Sequence, residues 1–510
     1  RHDLSVMVGT SHESENYDRF TAKRINFDQQ ENMSLQLGSA QDQNAWSEGN
    51  QWTINSFFSR VNYTFANKYV IEGTIRADGS SRFDPDHRWG WFPGVNAAWR
   101  VGEEGFMKRL GWFEDLKVRA SYGEMGNQSG IGLYDYIQLI SLSNDYYPFG
   151  AGVKGQMATS GNIISTSRTW ETIQTTNVGF DFSTLNNRLY GSFDYFWKEN
   201  KNMLIPKTYP SMLGADAPST NSGHLSIHGW EISLGWRDQI KDFSYSVRFN
   251  ISDAKNKVVD RVGSNLIQLG NNETPTGYPL NSYFGYEFDG IIQNEQELEA
   301  YKSRFSEGGI PGDLSVGDAM YKDLDGDGKL SVLGDGKEGS GDVKYLGDKN
   351  PRYNFGFNLS MAWKGFDLSA FIQGVGRRTM FLEGESRCPM PEAWYQSAEY
   401  WYGKTWTPER TDAQYPAITL KDKRNYNYYV STNTKFNVAY ARLKNLQFGY
   451  TIPQTLTSKA GLQKVRVYFS GEDLFEVHNT PNGWDPEENS GSITSYPFTR
   501  NYSFGINVVF

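Results

Sequence analysis

The strongest constraint in this sequence is a period-two alternation in which charge falls repeatedly on one side of the ribbon. From Phe498 to Phe510, Phe498, Tyr502, Phe504, Ile506, Val508 and Phe510 share one face of a strand, and Thr499, Asn501, Ser503, Gly505 and Asn507 share the other. The same rule recurs upstream. Phe243, Tyr245, Val247, Phe249 and Ile251 oppose Ser244, Ser246, Arg248 and Asn250, and Phe355, Phe357, Leu359, Met361 and Trp363 oppose Gly356, Asn358 and Ser360. In Tyr69–Asp78 the charged Glu72, Arg76 and Asp78 all fall opposite Tyr69, Ile71 and Ile75. A lysine or arginine facing mid-bilayer costs about 2–4 kcal/mol, so this sorting is what lipid on one face imposes. A soluble sheet could bury such a face against a core. Soluble termini normally fray, however, whereas the final strand of a barrel closes against another strand, so an aromatic end at Phe510 favours a membrane barrel.

Composition agrees with that reading. Over 510 residues only 38% are hydrophobic, yet 15% are aromatic and 52 are glycine. Such a chain cannot fill several thick cores, but it can coat a cylinder and line a wet interior. No run of about 18 apolar residues exists, which excludes helical spans and leaves strands open. A net charge of −9 argues against nucleic acid as a partner. The single cysteine, Cys388, permits no internal disulfide, and the six histidines show no metal-ligand spacing. The chain opens at Arg1 without a basic or apolar leader region and reads as a mature or truncated product.

Tight turns are expected at Asn67-Lys68, Asn186-Asn187, Asp238 to Lys241 and Lys364-Gly365. Between the resulting hairpins lie long segments, the longest being Asn294 to Asn350 and Arg378 to Thr434. Short turns on one side and long loops on the other are the outer-membrane pattern. Counting alternating runs gives about 16 strands, with Tyr17 to Phe27 and Tyr134 to Ile140 the doubtful ones. The expected fold is therefore all-β, a transmembrane antiparallel β-barrel with long extracellular loops. No compact α/β plug sequence precedes the first strand, so residues 1–510 are expected to be the C-terminal portion of a larger barrel.

The chain resembles the SusC/RagA-like TonB-dependent transporters. The resemblance runs from about Asp78 to Phe510 as blocks in family order: Asp78-Gly79-Ser80-Ser81-Arg82-Phe83, Trp91-Phe92-Pro93, Trp170-Glu171, Asn177-Val178-Gly179-Phe180-Asp181 and Gly229-Trp230-Glu231-Ile232. There follow Gly290-Ile291-Ile292-Gln293, Asp323-Leu324-Asp325-Gly326-Asp327-Gly328, Trp406-Thr407-Pro408-Glu409, Arg442-Leu443-Lys444-Asn445-Leu446 and Trp484-Asp485-Pro486-Glu487. Any one block is weak; together and in order they are strong. The resemblance implies a plugged barrel of 22 strands, an N-terminal plug with a TonB-contacting box, and a SusD-like surface lipoprotein acting as a lid. It further implies a dimer of such pairs, and import of oligosaccharides, or in some members peptides, driven by the proton-motive force. The plug and TonB box are not seen in these residues.

One motif has metal geometry. Asp323, Asp325 and Asp327 followed by Gly328 match positions 1, 3, 5 and 6 of an EF-hand-type loop, with the Lys329 carbonyl at position 7. The closing acid is out of register: position 12 is Gly334, and the carboxylate is Asp335. Either the loop bulges by one residue or the site leans on Asp318, Asp342 or water. The expected ligand is a structural Ca2+; the alternative is a solvated glycine-aspartate turn.

Trp394, Tyr395, Tyr400, Trp401, Tyr402 and Trp406 crowd one loop beside Glu392 and Glu399. Aromatic faces stack on sugars and carboxylates accept sugar hydroxyls, which suggests a glycan contact at Trp394, Tyr395, Trp401, Tyr402 and Trp406. Loop packing or an interfacial belt is the alternative. Tyr146-Tyr147-Pro148-Phe149 and Tyr426, Tyr428 and Tyr429 pose the same choice. No motif demands catalysis, and no carboxyl pair stands out as a glycosidase pair among 59 acids. A secreted glycan-binding or glycan-hydrolysing β-protein and a passive porin remain the competing readings.

Overall fold

The computed structural model describes residues 2–510 except 28–30, 32, 42, 144–147, 150–152, 155–156, 162, 207–211, 213–217, 262–268, 271–273, 334–340, 392–395, 420–421, 489–490, 492–495 and 497. Among the described residues, fourteen strands form one sheet in chain order. The first seven are β1 (His2–Lys23), β2 (Asn44–Phe65), β3 (Tyr69–Ser80), β4 (Trp89–Trp99), β5 (Asp115–Asn127), β6 (Glu171–Thr184) and β7 (Leu189–Pro206). The others are β8 (Ser219–Ile240), β9 (Phe243–Asp260), β10 (Arg352–Trp363), β11 (Phe366–Arg377), β12 (Tyr440–Thr451), β13 (Lys464–His478) and β14 (Asn501–Val509). Every strand neighbours its predecessor in sequence, an up-and-down meander without crossovers. No helix among the described residues is long and apolar enough to cross a membrane.

Fourteen replaces the expected sixteen or so. Tyr17 to Lys23 continues β1 rather than opening a new strand, and Tyr134–Tyr136 is a turn. The alternation there was too short to compete with local turn preferences. All four expected tight turns join consecutive strands, and each rests on left-handed backbone: Ala66 and Asn67 (φ 54° and 58°), Asn186 and Asn187 (59° and 58°), Lys241 (54°), and Lys364 with Gly365 (45° and 90°). Positive φ at the central residues matches the right-handed twist of the flanking strands, which selects such turns in short hairpins.

By compactness the chain divides into two units. The first comprises Arg1–Ala98, Ser121–Thr176 and Glu199–His224. Here β1 and β2 pair without a break from His2↔Phe65 to Lys23↔Asn44, far longer than the 9–11 residues that cross a bilayer. Leu4, Val6 and Val8 are exposed on one face near the short turn, whereas Ser11 to Asp18 is polar apart from Tyr17 and exposed on both faces. The far half of this hairpin therefore fits water rather than lipid. A small core caps the β3–β4 connection: Phe83, Phe92, Ile131 and Trp170 are buried together, with Phe92 edge-on to Trp170 at 5.7 Å. Trp170 donates its indole N–H to Arg88 O (2.8 Å), and buried Glu171 accepts from Asn127 Nδ2 and Leu204 N (2.8 Å each). A Cβ at Gly126 would stand 2.2 Å from the Phe92 ring, so this packing admits only glycine there.

The second unit comprises Trp99–Ala120, Asn177–Lys198 and Leu225–Phe510. Its register puts like with like. Phe243, Tyr245, Val247, Phe249 and Ile251 stand opposite Trp363, Met361, Leu359, Phe357 and Phe355, and Met361 and Trp363 in turn oppose Leu368 and Phe366. The row continues through Tyr450 and Phe448 to Val467, Phe469, Ile506 and Phe504. None of Phe243 to Ile251 is buried, on either face, so no protein core receives the apolar side. Phe243 to Ile251 is eight steps of about 3.3 Å, which makes this row roughly 26 Å long along the strand, comparable with the band of about 25 Å that faces lipid in such barrels.

The opposite face carries paired charge. Arg119 bridges Asp181 (2.8 Å) and Asp194 (3.0 Å), and Arg466 binds Asp367 and Gln447. Beyond the end of the row, Arg352 is paired with Asp253.

Candidate functional site

The described residues of the two longest connections, 261–351 and 378–439, form a loop body with its own core. The helix Glu295–Arg304 starts in a reciprocal cap: Asn294 accepts from Glu297 N (2.9 Å), while the Glu297 carboxylate accepts from Gln293 N (2.9 Å). Its buried face, Leu298 and Tyr301, packs with Ile292, Phe305, Tyr321 and Tyr426. Tyr301 and Tyr426 share a hydroxyl contact of 2.6 Å, and the Tyr301 hydroxyl also accepts from Tyr321 N (2.9 Å). Burial pushes the Tyr321 and Tyr426 hydroxyls well above their ordinary range, so this core stays neutral. Asp318 accepts from Ser315 N and Asn427 Nδ2 (2.8 Å each) and faces Lys423 at 3.4 Å. It staples the two connections together.

That turn brings Asp323, Asp325 and Asp327 together, with ligand oxygens within 4.8 Å of one another. Asp323 accepts from Gly326 N (2.7 Å) and Gly328 N (3.0 Å), Asp325 from Asp327 N (3.2 Å), and Asp327 from Lys329 N (2.8 Å). Gly326 and Gly328 sit at φ +75° and +77°, the sharp bend that lets three alternate carboxylates converge. The expected closing residue Asp335, and Gly334 before it, lie outside the described residues. Fully buried Asp342 instead accepts from Leu324 N (2.6 Å) and Ser331 N (2.7 Å), clasping the turn from behind. Burial raises its carboxyl, and Asp325 and Asp323 raise it further. Three hard oxygens crowded around one point, two of them on exposed residues, suit an oxygen-loving divalent cation. Asp323, Asp325, Asp327 and the Lys329 carbonyl would hold it and neutralise their mutual repulsion.

The aromatic loop separates into different environments. Trp394 and Tyr395, with Glu392, lie outside the described residues, as do Tyr146 and Tyr147. Trp401 is buried among Tyr400, Tyr415, Tyr428 and Trp484, edge-on to Tyr415 at 4.9 Å. Tyr402 is 90% exposed. Trp406 is half-buried against Gly317 and donates to Gln293 Oε1 (3.1 Å). Tyr426 and Tyr428 are core residues. Cys388, buried in the second aromatic cluster, has its thiol pushed up by burial, which fits an inert packing role.

Two blocks whose role the sequence left open meet at the last connection, 479–500. Arg442, on β12, is fully buried and paired with Glu476 (2.8 Å), Asp485 (2.6 Å) and Glu487 (3.0 Å), with the Phe498 ring 4.2 Å from its guanidinium. Lys444 adds Asp473 (2.8 Å) and Glu487 (3.0 Å). Trp484 enters the aromatic core, where its N–H reaches Gly491 O (3.1 Å). An arginine sharing the parity of Leu446, Phe448 and Tyr450, followed far downstream by an Asp-Pro-Glu run, was the available signal, but nothing local linked them.

Residues 1–474 match the family described as TonB dependent receptor-like, beta-barrel. The chain belongs to that family. It is an outer-membrane β-barrel chain. A TonB-dependent receptor of Formosa agariphila is 31% identical over the whole of this chain and 51% of its own length. The TonB-dependent receptor SusC of Bacteroides thetaiotaomicron is 27% identical over 92% of this chain and 45% of its own length. The chain thus spans about half the length of the curated relatives it matches. In fold it follows the RagAB peptide transporter, with a TM-score of 0.80 at 23% identity over 99% of this chain and 53% of that one. The relatives are receptors and transporters rather than enzymes. In this TonB-dependent barrel, buried Arg442 and capped Glu171 serve architecture, each with its partners within hydrogen-bonding distance.

Proposed function

We propose that this chain is the membrane-embedded part of a TonB-dependent importer of oligosaccharides, working with a SusD-like surface lipoprotein lid and energised through TonB by a plug. The observation that carries this reading is the family match over residues 1–474, joined to a folded loop body built from the long connections. The lid would dock on that long-connection side, and two barrel–lid pairs would form the dimer. Within the loop body Tyr402 offers an open aromatic face for a sugar ring, with Trp406 partly open and Trp401 packed behind as support. A structural Ca2+ at Asp323, Asp325 and Asp327 would stiffen this body; chelation is then expected to speed protease cleavage within 323–329 in the wild type but not in Asp325→Asn.

The test is uptake. Cells lacking the full-length gene should lose growth on a defined oligosaccharide and regain it with the wild type. Restored growth on oligopeptides, with every glycan unaffected, would replace this reading with peptide import, the cargo of the fold relative RagAB.

A further inference from the structure

A cavity of about 390 Å³ opens where β9, β10 and β11 meet the long connections, and its wall is cationic. Lys255, Lys257, Arg352, Arg377 and Arg378 all line it, against one carboxylate, Asp348. This runs against the chain's net charge of −9, so it is not a by-product of composition.

The accounting of partners leaves positive charge over. Arg352 is neutralised by Asp253. Asp348 is partly spent, accepting from the Tyr345 hydroxyl (2.8 Å) and from Asn350 N (3.1 Å). Buried Arg378 directs its guanidinium to the Pro486 and Glu488 carbonyls (2.8 Å each). Lys255, Lys257 and Arg377 form no salt bridge among the described residues, and all three are exposed. Nearby Lys435 is pushed down by burial and then by Arg377 and Lys344, an independent sign of crowded cations. The frame is firm: Gly277 N donates to Val258 O (2.8 Å) and Val258 N to Tyr278 O (2.9 Å), so the connection continues the sheet edge of β9. Tyr345 and Pro279 supply apolar surface in the same wall.

We propose that this cavity binds an acidic unit of the imported glycan, a sugar bearing a carboxylate or sulfate ester. A planar guanidinium and two mobile ammonium groups around a volume in the small-ligand range suit an anionic substituent, while Tyr345 offers a face for the ring. The inference rests on the importer reading and narrows its cargo to acidic oligosaccharides.

The test uses the full-length protein purified in detergent, titrated with galacturonate oligomers, sulfated galactan oligomers, neutral galactan oligomers and a glutamate-rich peptide. Wild type should prefer the acidic glycans, with affinity falling as salt rises. Lys255→Gln combined with Lys257→Gln, and separately Arg377→Gln, should weaken acidic glycan binding about tenfold or more and leave neutral glycan binding unchanged. These side chains are exposed, so heat-modifiable gel mobility should confirm that each variant is folded. Equal binding of acidic and neutral glycans, variants that bind like wild type, or a peptide that binds more tightly than either acidic glycan would overturn the proposal. Uptake of a neutral glycan with no acidic preference would sink this inference alone, whereas cells that take up no glycan at all would sink the importer reading beneath it.

Discussion

Replacing Arg442 with alanine is the sharpest test of how the last connection is held. The guanidinium has no solvent exposure and faces three carboxylates at 2.6–3.0 Å. Removing one partner from a buried charge cluster typically costs about 3–5 kcal/mol, because the remaining charges stay behind uncompensated. Here the lower end applies. Glu487 keeps Lys444 at 3.0 Å and Glu476 keeps Arg500 at 3.1 Å, which leaves Asp485 with the Glu487 backbone N–H (2.7 Å) as its remaining contact. About 3 kcal/mol corresponds to roughly a hundredfold rise in the open population of the 479–500 segment. Amide hydrogen exchange on the detergent-solubilised protein should therefore quicken about a hundredfold across the described part of that segment in Arg442→Ala. Arg500→Ala is the control: its side chain is 43% exposed, so it should change exchange by less than about tenfold. If the two variants exchange alike, the buried cluster does not secure the connection and the argument fails.

Three further outcomes follow from the same structure. Leu359→Arg, in the middle of the apolar row, should cost about 2–4 kcal/mol in bilayers while neighbouring Ser360→Arg costs under about 0.5 kcal/mol; urea titration in lipid vesicles would measure both, and equal costs would place Leu359 away from lipid. Trp401→Ala should lose about 3–5 kcal/mol of loop-body stability, whereas Tyr402→Ala should leave the melting temperature unchanged and act only on ligand binding, read by tryptophan fluorescence and titration. Lys322 (2.6 Å) and Lys344 hold Glu287 down to about 2 from its ordinary 4.5, so its contribution is complete above about pH 4.5 and vanishes as pH falls through about 2. The melting-temperature gap between wild type and Glu287→Gln should accordingly be constant from pH 7 to 5 and close near pH 2; a gap that instead widens on acidification would reverse the sign of that linkage.

What was legible in the chain followed from periods and turns. Phe243 to Ile251 and Phe355 to Trp363 announce their faces because side chains alternate with a period of two, and pairing them any other way by one residue would put Arg248 into lipid. Asn67, Asn186 and Gly365 announce their hairpins because left-handed backbone favours few residue types. The far half of β1 was not legible as strand, since Ser11 to Asp18 is wet on both sides; backbone pairing carries on there without any side-chain pattern to show it. The loop body hid for a different reason. Whether Trp401 or Tyr402 turns inward depends on Tyr415, Tyr428 and Trp484, up to 83 residues away, and no local period encodes that choice. Arg442 carries the point furthest. Counted by twos from Tyr450, Phe448 and Leu446 it falls on the apolar side; the register shift between Leu443 and Asn445 turns it to the polar side, where Asp485, Glu487 and Phe498 close over it. Such a burial becomes readable only when an arginine is asked which carboxylates elsewhere in the chain could afford its desolvation, and the acids at 476, 485 and 487 are the set that does.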